Sequence, residues 1–201
     1  MTTTNHRTVV IFDTEYTSWE GSVQRGWSEP WEHRELVQLA AVRTVETAAG
    51  LEVVDALELI VQPQVNREVS DYFVALTGLD RERIAAEGIS FQQALEAFTR
   101  FGHAGRLCSY GDDMLILEEN CRLYDCADPG LRNRFCNLHA AVTGRGIDVT
   151  QYSSGTLFQH FGLSLDKNRA HDAVSDVQSL LASMNAMNLG FDDLQCGSDH
   201  G

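Results

Sequence analysis

The chain has 201 residues, 43% of them hydrophobic, and carries 15 Lys and Arg against 29 Asp and Glu, a formal charge of −14. That length and apolar content suit one globular domain with a sizeable core, and the acidity excludes a broad basic face of the kind that grips duplex DNA. Nothing in the sequence is apolar for long enough to cross a membrane, and "MTTTNHRT" leads into no signal-peptide core, so a cytoplasmic protein is the expectation.

The first element is the run Val9, Val10, Ile11, Phe12, which predicts a buried strand over 8–13. Asp13 and Glu15 follow two positions apart. Strand side chains alternate, so both acids point one way and Thr14 points the other. Two negative charges at the mouth of a core cost free energy unless something positive sits between them. Residues 17–35 are polar and aperiodic and read as a loop, and all three tryptophans (Trp19, Trp27, Trp31) fall within it. Exposed rings there either stack unpaired bases or pack the loop onto the domain.

Residues 36–45 and 51–63 are β-rich and flank "ETAAG", which predicts an antiparallel pair ended by Pro63. Ser70 and Asp80 then read as caps of short helices separated by Gly78. Ser90 caps a firmer helix to 101, with Phe91, Leu95 and Phe98 on one face. "RLCSY" (106–110) reads as a further central strand, and Gly111 turns the chain into a helix that opens on Asp112 and Asp113. Carboxylates are favoured there by the helix dipole and free N–H groups. One of the two is the cap, but a cap does not need a pair.

After a less regular stretch, 153–162 and 171–187 are predicted helices. Asp172 caps the second, and Asp176 shares a face with Ala173 and Leu180, toward the apolar side. Residues 1–190 form one domain in this reading, and 191–201 are expected to be a frayed tail. Five cysteines (108, 121, 126, 136, 196) contain no C-x-x-C pair and are expected to be reduced thiols. Strands first, then helices with one or two further strands, predict an α/β or α+β fold on a mixed sheet.

An Asp-x-Glu on the first strand, an Asp at a strand-to-helix turn and a His-x4-Asp entering the last helix occur in that order. The set resembles the His-containing DEDD 3′→5′ exonucleases, which have a ribonuclease-H-like fold. "FDTEYT" is similar to the family's first motif and "RAHDAVSDV" to its third, while "RELVQLAAV", "LIVQP" and "LTGL" resemble the segments between. The similarity runs from Thr8 to Met187, and "DMLILEENC" resembles the histone-mRNA-exonuclease and sporulation-inhibitor-like branch. That register favours Asp113 as the second-motif acid. Asp112 serves if the helix begins one residue earlier.

The resemblance implies a three-layer α/β fold with a mixed central sheet of about five strands. It implies that Asp13, Glu15, Asp113 and Asp176 hold two divalent ions, Mg²⁺ or Mn²⁺, since hard cations prefer oxygen ligands. It further implies a two-metal hydrolysis with His171 as general base, releasing 5′-nucleoside monophosphates from the 3′ end of single-stranded RNA or DNA. Thr14, Tyr16, Thr17 and Trp19 are the expected contacts to the terminal nucleotide. Two other functions fit the sequence: a non-catalytic nucleic-acid-binding module that keeps the fold, and a phosphodiesterase acting on dinucleotides or other short substrates.

Overall fold

The computed structural model describes residues 7–165 and 171–197. Its framework is a five-stranded mixed sheet with strand order β3-β2-β1-β4-β5, built from β1 (Thr8–Tyr16), β2 (Leu36–Thr47), β3 (Gly50–Ile60), β4 (Arg106–Ser109) and β5 (Phe135–Asn137). β1 pairs antiparallel with β2 and parallel with β4, and β4 pairs parallel with β5. β2 and β3 form the expected hairpin, closed at Gly50, whose φ of 118° suits a residue without Cβ.

β1 lies at the centre with both faces covered, and its pleat divides the core. Val9 and Ile11 face one apolar cluster, with Val177, Leu180 and Met184 of the last helix. Val10 and Phe12 face the other, with Phe91, Phe98 and Leu117. The Phe12 ring lies 5.0 Å from Phe98 and 6.1 Å from Phe135, within the range of favourable aromatic pairs. Helices α4 (Phe91–Phe101) and α5 (Asp113–Leu123) cover this second face. α6 (Leu138–Gly144) and α7 (Ala173–Ala186) cover the first. The result is the three-layer arrangement expected from the resemblance.

The caps fall where the sequence places them. Ser70 and Asp80 accept from Phe73 and Arg83 at the starts of α2 (Asp71–Thr77) and α3 (Arg81–Glu87). Ser90 and Gln93 form a reciprocal capping box at α4.

Several expectations are corrected. β1 runs on to Tyr16, so Asp13 and Glu15 sit inside the strand, because β2 goes on pairing with it as far as Leu36. The tryptophan loop contains a one-turn helix, α1 (Ser22–Arg25). β3 ends at Ile60, and Val61 beyond it forms an isolated bridge to Ile89. The helix predicted over 153–162 reduces to a 3₁₀ turn at Leu157–Phe161. There, Thr156 Oγ1 accepts from the Ser153 backbone at 2.9 Å, a local bond that competes with helix formation. The less regular stretch before it holds β5 and α6, both too short to show a period.

The tail is not frayed over 191–197. Leu194 is buried, Arg106 donates to the carbonyls of Phe191 and Leu194, and Arg145 pairs with Asp193. Docking brings the Cα of Cys196 within 4.3 Å of that of Cys136, and the two form a disulfide rather than the expected pair of thiols. A pairing across 60 residues has no local sequence signature. Cys108, Cys121 and Cys126 remain free. Residues 1–6, 198–201 and the motif residues Arg169 and Ala170 lie outside the described residues. Among the described residues no helix is long and apolar enough to cross a membrane.

Candidate active site

The parallel pairing of β1 with β4 covers only Val9–Ile11 against Arg106–Cys108. β4 then stops at Ser109, and Gly111, with φ 105°, turns the chain into α5. Beyond Ile11, β1 therefore has no strand on that side, and a cleft of about 410 Å³ opens at the carboxyl ends of the two parallel strands. Crevices of α/β sheets open in this position. Asp13, Thr14, Glu15, Tyr16, Asp113, His171 and Asp176 all line it.

Each acid arrives by a separate piece of local chemistry. Asp13 and Glu15 continue the Val9–Ile11 face of β1, toward α7, and both are buried. Thr14 continues the Phe12 face, toward α5, where its backbone N–H and hydroxyl both donate to Asp113 Oδ1. That bond separates the two adjacent acids. Asp112 instead caps α5 by accepting from Leu115 N and pairs with Arg132 at 2.7 Å. Asp113 is thus the acid held against β1, half-buried, and Asp112 is the exposed cap.

Asp176 comes from the first turn of α7, and Gln38 sets where that turn lies. Opposite Glu15 on β2, Gln38 accepts from Ala173 N at 3.1 Å and donates to the capping Asp172 at 3.1 Å. At the far end of α7, Asn185 exchanges two bonds with the Leu51 backbone. The helix is therefore fixed to the sheet at both ends. Asp176 is 1% exposed; Ser154 donates to its Oδ2 at 2.8 Å, and among the described residues Oδ1 has no hydrogen-bond partner.

The electrostatics are those of carboxyls crowded into one cleft. Burial pushes the Asp13 carboxyl well above its ordinary pKa, and the charges of Asp113, Asp176 and Glu15 push it further, against the Ser154 hydroxyl. Burial, then Asp176 and Asp113, raise Glu15 in the same way. Burial lifts Asp113 to about 6 despite hydrogen bonds from Thr14 and Ser109, and lifts Asp176 to about 6 despite Ser154. Carboxylates crowded in low dielectric cannot all ionise without a cation. Ligand atoms of Glu15, His171 and Asp176 lie within 4.8 Å of one another. The orphaned Asp176 oxygen and an oxygen-rich donor set fit a hard divalent cation.

His171 stands at the cleft with φ 64°, a left-handed conformation uncommon for a non-glycine residue. The residue is exposed overall, and partial burial of its imidazole lowers its pKa. Tyr16 lines the cleft with its hydroxyl pushed up to about 12, by burial first and Asp113 second.

Two of the expected nucleotide contacts are not brought to the cleft. Thr17 is buried beneath the loop, donating to His33 O and accepting from Glu35 N. Trp19 packs edge-on against Trp31, ring centroids 4.8 Å apart. Trp27 takes the cleft position instead, its ring 5.5 Å from Tyr16 and its Nε1 donating to Thr17 O. Ser154 and Gln38 were not singled out for these roles by the sequence. Trp27 carried a signal as one of three loop tryptophans, but nothing distinguished it from the others.

Residues 10–184 match the family model described as exonuclease. A solved 3′-exonuclease that recognises the 3′ end of a histone mRNA stem-loop is 20% identical with a TM-score of 0.79, over 95% of this chain and 66% of its own. The nuclease domain of a DEDDh family member bound to rAMP is 19% identical with a TM-score of 0.79, over 96% of this chain and 97% of its own. Cell-death related nuclease 4 is 20% identical with a TM-score of 0.74, over 91% of this chain and 64% of its own. No curated protein sequence matches the chain significantly. The fold is shared with these nucleases, and with the family model spanning most of the sequence the chain belongs to the RNase T-type exonuclease family.

Proposed function

We propose that this protein is a divalent-metal-dependent 3′→5′ exonuclease that removes 5′-nucleoside monophosphates from the 3′ end of unpaired RNA or DNA. One observation carries the reading. Three elements distant in sequence bring Asp13, Glu15, Asp113 and Asp176 into a single cleft, with a buried Asp176 oxygen that has no hydrogen-bond partner among the described residues. A structural ion-pair network has no use for four converging acids; a pair of cations does. The family generally uses divalent metals, and the acids here would hold two ions, Mg²⁺ or Mn²⁺.

Bound there, the ions would supply Lewis acidity at the phosphoryl group and a water that ionises near neutral pH. The chain's own residues do the rest. His171, kept neutral near pH 7 by its lowered pKa, takes the proton from the attacking water. Thr14 holds Asp113 away from Asp112, and Ser154 orients Asp176. Tyr16 and Trp27 offer ring surfaces to the terminal nucleotide at the cleft wall. A strand is favoured over a duplex because a net charge of −14 disfavours engaging a second phosphate backbone.

Oligonucleotides labelled at the 5′ or the 3′ end, incubated with Mg²⁺ beside an Asp13→Ala control, test the proposal. A 5′-labelled ladder shortening from the 3′ end, absent in the control, is expected. Internal cuts, or a ladder that survives Asp13→Ala, would refute it.

A further inference from the structure

We propose that the Cys136–Cys196 disulfide is a redox-controlled latch: reduced by a dithiol, it frees the tail from β5 and loosens the part of the acid cleft that carries His171 and Asp176. The consequence for the cleft rests on the metal-dependent reading above. β5 is the last strand on its side of the sheet and has only three residues, Phe135–Asn137. So short an edge strand makes few ladder bonds of its own. The tail adds to them: Gly197 N–H donates to Phe135 O at 3.1 Å, beside the disulfide.

The disulfide spans 60 residues, and the segment it closes carries Ser154, His171, Asp172 and Asp176. A cross-link of that length acts by restricting the open chain, so it holds the tail docked more firmly than the other contacts do. Leu194 is buried, Arg106 donates to Phe191 O and Leu194 O, and Arg145 joins Asp193 to Met187 O at the end of α7. A partly exposed pair such as Arg145–Asp193 contributes little by itself. Both ends of the latch lead to the cleft. Next to Cys136, Asn137 Oδ1 accepts from Gly111 N at 3.3 Å and from His139 N at 2.9 Å, and Gly111 lines the cleft where the chain turns toward Asp113. Near Cys196, Leu194 packs in the apolar cluster with Val177, Leu180 and Met184 of α7, the helix that presents Asp176.

Burial selects the sulfur that is attacked. Cys136 is 1% exposed, whereas Cys196 is half-buried. One thiolate of the dithiol bonds to Cys196 Sγ as the Sγ–Sγ bond breaks, and Cys136 leaves as a thiolate that takes up a proton. The second thiolate of the reductant then closes the reductant's own disulfide and releases Cys196. Two electrons and two protons have passed from the dithiol to the cysteines. Cys108 lies opposite Cys136 in the β4–β5 register, but burial pushes its thiol far above the ordinary range, so it stays protonated and outside the exchange.

The test compares the air-oxidised protein, the same protein in dithiothreitol, and Cys196→Ser, which cannot latch. Titrated under denaturing conditions, the oxidised chain should show three thiols and the reduced chain five. Amide hydrogen exchange of a peptide covering 191–197 should speed up about tenfold or more on reduction. The Mg²⁺ concentration that gives half the rise in melting midpoint should grow about threefold or more, since the binding-competent state is less populated. Cys196→Ser should match the reduced wild type in both measurements and ignore dithiothreitol. Five thiols in the air-oxidised protein would overturn the latch. So would tail exchange that is equal in the two redox states, a Mg²⁺ response that is present but equal in both, or a dithiothreitol effect that persists in Cys196→Ser. Redox-dependent tail exchange in a protein whose melting midpoint ignores Mg²⁺ in both states would keep the tail latch and sink the metal-dependent reading instead.

Discussion

The two halves of β1 share a strand, a partner and nearly the same burial, yet they differ in energetic sign. Val9, Val10, Ile11 and Phe12 are all fully buried among apolar side chains, so each stabilises the fold by removing surface from water. Asp13 and Glu15 are also buried, but beside two further carboxylates and with no cation among the described residues close enough to pair with them. The first half contributes what the second half costs. The acid cluster persists because β2 holds both halves in one register and α7 is pinned at Gln38 and Asn185.

The largest break in that contrast comes from Asp13→Asn. Hydrolysis should fall by roughly 10³-fold or more through loss of a charge that organises the reacting centre. The melting midpoint in chelator should rise, because one repelling charge is gone. Rate and melting curves on the same sample check both halves, and a lower midpoint would contradict the like-charge account.

The opposite substitution, Phe12→Ala, removes a ring packed on Phe98 and Phe135 and should cost about 3–5 kcal/mol by urea unfolding. Since Phe12 faces α5, away from Asp13 and Glu15, the surviving folded fraction should still respond to Mg²⁺.

A pH series sharpens the comparison further. In the metal-free protein Asp113 and Asp176 have pKa values raised from 3.8 to about 6, so the folded state holds more protons than the unfolded one between these limits. Their contribution is therefore fully present below about pH 4 and is lost as pH rises through about 6. The stability difference between wild type and Asp176→Asn, measured in chelator from pH 4 to 7, should shift in favour of the variant as pH rises. Mg²⁺ at about 100 times its Kd should restore roughly 2.7 kcal/mol to the wild type alone. A difference independent of pH would mean that neither burial nor the neighbouring charges raise these carboxyls.

The smallest expected effect is that of Ser154→Ala. Losing the hydroxyl that donates to Asp176 Oδ2 should lower kcat severalfold and leave KM close to wild type. An increase in KM alone would place Ser154 against substrate rather than behind Asp176.

Much of the fold and most of the acids were legible because they rest on local rules. The four apolar residues before Asp13 announce a buried strand, and a spacing of two puts Asp13 and Glu15 on one face whatever surrounds them. Ser70, Asp80 and Ser90 cap helices by bonds that span three residues. Asp176 looks inward because of helical spacing from Ala173 and Leu180. The elements that escaped are those whose cause is remote. β5 has only three residues and exists because β4 offers an edge. The register of "DMLILEENC" favours Asp113 over its twin Asp112, but what holds it in place is Thr14, 99 residues away. Cys136 meets Cys196 because Arg106 and Arg145 dock the tail.

By itself the sequence determined the longer strands, the capped helices and the inward face of Asp13, Glu15 and Asp176, since pleat, helical period and capping act within a few residues of each position. The tertiary structure alone decided how those carboxylates are held in one cleft, which tryptophan borders it and which polar side chains fix the acids. Those outcomes depend on where β4 ends beside β1 and on side-chain bonds such as Gln38 to α7, which join segments more than a hundred residues apart. Distances across such gaps are set by packing, and no pattern along the chain encodes them.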